Sequence, residues 1–338
     1  MQIPVIGYVT TFAGDTSTLI AGVRGALLRF ADTPIDSTAR ACDVEGIPAK
    51  RRVTRHRWHA SQTWVRCKRR VAPFQAVCCG LSLAFSLFWS VAPAAAQGKL
   101  DAEYSATLLG IPVGKGTWHI DIHDDKFSAT LSGGTSKLVK LFTGGSGSGA
   151  SQGQVVNGTL IPTNYRSSIT TSKKTEEVHV TLTNGDVKEF GIVPESPVDP
   201  ARIPVTDAHR HHVLDPMTAA IIRVPGTGEV LTPDACHTTA SVFDGRMRYD
   251  LKLEFKRMET VKAAKGYRGP VVVCAIYFVP VAGYIPDRPT IKYLAAQRNI
   301  EIALAPIAGT RTLAPFWMAG PTPLGQAKLE ATSFVAQP

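Results

Sequence analysis

Apolar and polar residues alternate with a period of two over most of the chain after residue 98. Leu100, Ala102, Tyr104, Ala106 and Leu108 alternate with Asp101, Glu103, Ser105 and Thr107, the signature of a half-buried strand. Gly110-Ile111-Pro112-Val113-Gly114 interrupts it with turn residues, and Trp118, Ile120 and Ile122 then alternate with Thr117, His119, Asp121 and His123. Asp124-Asp125 turns the chain into a third strand carrying Phe127, Ala129 and Leu131. The pattern predicts an antiparallel meander. Thr135–Phe142 reads as a short helix, and Gly144–Gly149 as a flexible Gly/Ser loop. Asn157-Gly158 and Asn184-Gly185 are hairpin signals, because both residues tolerate the positive φ of a type I′ turn.

Four prolines between Pro194 and Pro204 mark a long loop. Asp215-Pro216 then predicts the start of a short, almost wholly apolar helix through Ile222. Met247, Tyr249, Leu251, Leu253 and Phe255 alternate with charged residues, so one face of that strand packs inward and the other meets water. Val271–Val279 is apolar throughout and predicts a strand covered on both faces. Asp287-Arg288-Pro289-Thr290 opens a short helix with Ile291 and Leu294, and strands at 300–304, 311–318 and 327–331 close the chain. The expected fold is mainly β: one antiparallel sheet over residues 97–338, curled into a barrel or half-barrel, with two or three short helices. Strand twist keeps a sheet of that size from staying flat and open.

The segment in front changes what composition means. Lys68-Arg69-Arg70, the apolar run Ala76–Val91 and Ala94-Ala95-Ala96 have the order of a signal peptide: basic region, apolar region, small residues at the cleavage site. Residues 68–96 are therefore expected to direct export to the periplasm, with cleavage after Ala96. Residues 1–67, with the basic run Lys50–Arg57, are an odd prefix for such a peptide. They read as translated sequence upstream of the true start rather than as a nucleic-acid or membrane patch. The whole chain carries +10, yet residues 1–96 hold 12 Lys+Arg against 5 Asp+Glu, and the remainder 25 against 22. The basicity belongs to the leader, which withdraws nucleic acid as a partner. Four of the six cysteines also precede the junction, leaving Cys236 and Cys274 as one expected disulfide of an exported protein.

Three stretches resemble a known family when taken in order. They are Tyr104 through Leu109-Gly110-Ile111-Pro112-Val113-Gly114, then Phe243-Asp244-Gly245-Arg246-Met247-Arg248-Tyr249-Asp250, then Pro321-Thr322-Pro323-Leu324-Gly325. With Asp215-Pro216 and the export segment, the chain resembles the exported bacterial family known as domain of unknown function 3108, over nearly all of 100–335. The resemblance implies a periplasmic, mostly β envelope protein and carries no established activity.

Candidate chemistry is sparse. His209, His211 and His212 form the densest imidazole cluster and are the candidate metal ligands of a metal-dependent hydrolase, one alternative function. His119-x-Asp121-x-His123 has ligand spacing on a strand but sits on its polar face. Gly149-Ala150-Ser151-Gln152-Gly153 matches GxSxG without the strand–turn–helix context a nucleophile needs. Arg246 and Arg248, with Tyr249 beside them, are candidates to receive an anionic headgroup or carboxylate. No cofactor is implied. The leading expectation is a non-enzymatic protein holding a lipid or other apolar small molecule, or an envelope partner, in its curved sheet. A structural scaffold of envelope assembly is the third possibility. Peptide mass mapping of the native protein should begin at Gln97; peptides from residues 1–60 would contradict the reading of the leader.

Overall fold

The computed structural model describes residues 97–136, 145–195, 197 and 199–338. The leader, the export segment and nearly all of the expected 135–142 helix lie outside the described residues. The chain starts as a meander of β1 (Gly98–Leu108), β2 (Ile111–Ile122), β3 (Lys126–Thr135), β4 (Gly145–Val156), β5 (Thr159–Thr171), β6 (Thr175–Thr183) and β7 (Asp186–Val193). After the proline-rich loop come 3-10 turns at Asp207–Arg210, Thr218–Ala220 and Pro233–Cys236, with the two-residue β8 (Ile222–Arg223) among them. Then follow β9 (Thr239–Phe243), β10 (Arg248–Lys262), β11 (Lys265–Gly266), β12 (Arg268–Ala282), α1 (Pro289–Ala296), β13 (Glu301–Pro306), β14 (Thr312–Thr322) and β15 (Gly325–Gln337).

β15 returns to pair with β1, which joins the meander to the second half in the order β7-β6-β5-β4-β3-β2-β1-β15-β14-β13-β12-β10-β9. The expected single antiparallel sheet is thus present, and its path stays open. It is nonetheless curled, because one core collects inward residues from far-apart strands. Leu100, Trp118, Phe127, Tyr165 and Val180 share it with Val271, Val273, Ala303, Phe316 and Phe334. Each such large buried side chain contributes about 1.5–3 kcal/mol. The opposite face of β12–β14 is covered too. Val272, Cys274, Ile276 and Leu304 pack there against Ile291 and Leu294 of α1, so the all-apolar β12 sequence has a partner on each side. On the same face Cys236 and Cys274 form the expected disulfide, with Cα atoms 5.5 Å apart. The chain-entropy account gives a loop of this size about 4 kcal/mol.

Two expectations need correction. From Gly145 on, the Gly/Ser stretch is not a loop but the start of β4, paired on one side with β3 and on the other with β5. Small residues serve there because the interior is already occupied: a Cβ on Gly149 would lie 2.9 Å from the sulfur of Met217. The apolar segment after Asp215 is a 3-10 turn, not an α-helix. It lies within the barrel core, with Val213, Met217 and Ile221 buried among the strands.

The Asp215 carboxylate holds that plug. One oxygen accepts the Met217 and Thr218 amides at 2.8 and 3.1 Å. The other accepts the Ser151 hydroxyl at 2.8 Å and the Thr218 hydroxyl at 2.5 Å. Ser151 is thereby a structural partner on β4 and not a nucleophile. Burial pushes the Asp215 pKa up, against the four donors that favour its charge. Asp215→Ala should cost several kcal/mol in chemical denaturation, because it orphans buried donors. Asp215→Asn, which keeps an acceptor for both amides while the hydroxyls reorient, should cost a small fraction of that. Equal losses would contradict the plug's dependence on these hydrogen bonds.

Candidate functional site

The two termini of the sheet path, β7 and β9, face each other without a ladder between them. The segment before Asp215 bridges the gap. Val213 donates its amide to Gly185 in the β6–β7 turn at 2.8 Å. Leu214 donates to Ser241 at 2.8 Å and accepts from Phe243 at 2.9 Å, which adds a short parallel rung to β9. Phe190 of β7 packs edge-on against Phe243 of β9, with ring centroids 5.1 Å apart.

The sequence-predicted histidines belong to this seam. His211 reaches Asp186 with Nδ1 at 3.1 Å and Asp207 with Nε2 at 3.3 Å. His209 turns its Nδ1 back to the Thr206 amide at 3.1 Å. His212 sits with φ of 53° at the start of the bridge. They do not converge, and the described residues contain no group of three His, Cys, Asp or Glu side chains placed to hold a metal ion. His119 and His123 are likewise spread on an exposed face, paired with Asp101 and Asp121.

Arg246, Arg248 and Tyr249 do not converge either. Arg246 lies 3.2 Å from Glu176 on β6. Arg248 is held by Asp250 and the Ser241 hydroxyl, both at 2.7 Å. Tyr249 is fully buried, its ring 5.3 Å from Phe278. The Phe243–Asp250 motif owes its shape to Asp244, whose carboxylate accepts the Arg246 and Met247 amides at 2.9 and 2.7 Å. It folds the β9–β10 turn onto β6, where Gly245 leaves room for Val178.

The hollow in the curled sheet lies elsewhere, between the outer ends of β1–β3 and β14–β15. Tyr104, Ala106, Trp118, Leu131, Pro315 and Leu329 line an almost wholly apolar cleft of about 50 Å³. The Tyr104 hydroxyl donates to the Pro315 carbonyl at 2.6 Å, fixing the wall between β1 and β14. Trp118 is 2% exposed, and its indole N–H has no acceptor among the described residues. A buried donor without a partner is unusual in a packed protein. Lys115, Thr117, Ser132 and Thr135 complete the lining. Pattern reading placed Trp118 and Leu131 correctly on inward faces. It missed the cleft, because Gly114, Gly116 and Gly134 on β2 and β3 look like turn residues and give no sign of an incomplete core. A second, wider and more open groove of about 420 Å³ lies beside Trp317 and is polar, its Arg257 paired with Glu259 and Glu301 at 3.0 and 2.8 Å.

Comparison with known proteins gives one family and a distant solved structure. The family model described as "Protein of unknown function (DUF3108)" matches residues 103–332. No curated protein matches. The crystal structure of a β-barrel-like protein of domain of unknown function DUF1849 from Brucella abortus aligns over 72% of this chain and 98% of its own, with a TM-score of 0.40 and 6% identity.

The seam has a defined pH dependence. Hydrogen bonds that His211 donates to Asp186 and Asp207 push the His211 pKa up, and the same contact holds the Asp186 carboxyl down. A raised imidazole pKa stabilises the fold below the unfolded value of about 6.5, and that stabilisation is lost as pH rises through the folded value. Asp186 contributes in the opposite sense, losing its share only as pH falls below about 4. Corrected for intrinsic chemistry, exchange of the Val213 amide should therefore speed up as pH rises above about 6.5. His211→Gln should flatten that rise; an unchanged profile would show that His211 does not hold the bridge.

Proposed function

Since the chain belongs to the DUF3108 family, whose description assigns no activity, we propose from its own geometry that it is a non-enzymatic, exported envelope protein. In this reading it receives the end of an apolar or amphipathic chain in the cleft beside Trp118. The cleft carries the proposal. An exported destination is supported by the basic–apolar–small order of residues 68–96 and by a disulfide of the kind oxidising compartments maintain.

Size decides what the cleft can take. An engineered apolar cavity of about 150 Å³ admits benzene, so about 50 Å³ suits a chain end and excludes a ring or a whole lipid. The rest of the barrel interior is filled by Trp118, Tyr165, Phe316, Phe334 and the Met217 plug. The centre of the curved sheet is therefore packed, and the space for a ligand is the shallow cleft at one end. The almost wholly apolar walls favour methylene groups over polar ones. The lining brings together no nucleophile, base and acid, which supports binding over catalysis.

Octanoate below its micelle concentration is a suitable probe, read by the indole N–H resonance of Trp118. The resonance should move and saturate, and Ala106→Leu, which adds bulk to the wall, should abolish the shift without lowering the melting temperature. A Trp118 signal indifferent to octanoate in the unaltered protein would refute the reading.

A further inference from the structure

Three hairpins of the meander turn on two residues in left-handed conformation. Asn157 and Gly158 have φ of 52° and 72°, and Asn184 and Gly185 have 52° and 84°. The third turn, between β1 and β2, has Leu109 at 51° and Gly110 at 80°. Asn tolerates this backbone, whereas a bulky apolar side chain there is an outlier. The chain thus forgoes the favoured residue at one turn, and Leu109 is 60% exposed there with Ile111 48% exposed next to it. Contact with Gly325 occupies one side of Leu109 and leaves the rest facing solvent.

This tip belongs to the mouth of the Trp118 cleft. Ala106 and Gly114, on the strands leading into and out of it, line the cleft. The surrounding segments are free of acid: residues 104–118, 127–136 and 312–329 contain Lys115 and Lys328 but no Asp or Glu. Lys328 pairs with Glu330 at 2.8 Å, and exposed Lys115 has no ion pair among the described residues. The tip offers no strand edge for a partner, since the Leu109 amide is bonded to the Gln326 carbonyl and Leu108 pairs with Ile111. Two side chains also fall far short of the roughly 800 Å² per partner of a stable protein interface. They do suit shallow insertion at a headgroup boundary beside a cation.

We propose that the Leu109–Ile111 tip docks on an anionic phospholipid surface, turning the Trp118 cleft towards the bilayer so that an acyl end can pass between them. The proposal rests on the reading of the cleft as a chain-end site. Its test is hydrogen exchange of the full chain with vesicles of phosphatidylethanolamine and phosphatidylglycerol, and with phosphatidylcholine alone. Leu109→Asn/Ile111→Asn, whose Asn at the turn matches the other two hairpins, is the comparison. Any tethering by the apolar run 76–91 is common to both proteins and cancels. The unaltered chain should show several-fold slower exchange across 105–116 with anionic vesicles and little change with phosphatidylcholine, and the variant should lose the effect. Equal protection in the variant, protection only at another part of the barrel, or protection by cell extract without vesicles would overturn docking. Octanoate titration of the same variant separates the two ideas. A variant that still shifts Trp118 but ignores vesicles supports docking, and an unaltered chain that never shifts Trp118 defeats the cleft reading by itself.

Discussion

An open sheet that must behave as a barrel has to close its last gap without a backbone ladder. β7 and β9 end the sheet path, and their union depends on side chains and a short inserted segment. The 211–218 stretch does this in sequence. His211 clamps the β6–β7 turn, Val213 and Leu214 span from Gly185 to β9, and Asp215 anchors the chain to Ser151 across the interior. Arg246 with Glu176 and Phe190 with Phe243 secure the same seam from other heights. Because the bridge continues into the plug, one segment both spans the gap and fills the interior.

That coupling places the cleft. In the sheet order β1 lies midway between the two ends, so the β1–β2–β15 wall is as far from the seam as the path allows. The plug fills the interior near β4 through Met217 on Gly149. At the mouth framed by β1–β3 and β14–β15, Gly114, Gly116 and Gly134 line the cleft without side chains, and among the described residues the Trp118 N–H has no acceptor. The curled sheet encloses one apolar core, and a second apolar core lies on the opposite face of β12–β14 under α1. Among the described residues no helix is long and apolar enough to cross a membrane.

Most strands were legible from alternation, because a half-buried strand writes its two faces into sequence, as β1, β2 and β10 do. The Asn-Gly turns and the Cys236–Cys274 pair were legible for similarly local reasons. β4 was not: Gly145–Gly149 lacks side chains to alternate, and its strand state is imposed by β3, β5 and Met217. The plug was read as a helix because Asp215 does cap the following amides, but barrel packing allows only a single 3-10 turn. His209 and His211 are near in sequence yet take different partners, because spacing shows proximity and not convergence. Leu109 was not legible as unusual, because only its positive φ and its exposure in the fold set it apart from the Asn of the other two turns.

The central claim is that the cleft beside Trp118 holds the end of an amphipathic chain in the living envelope. Replacing Leu329, on the cleft wall, with a photo-crosslinking residue in cells producing the full chain tests this most directly, with the adduct identified by mass spectrometry. The account predicts an acyl-chain adduct at that position, lost when Ala106→Leu fills the cleft. Crosslinks only to protein, or an adduct that persists in the filled variant, would contradict it.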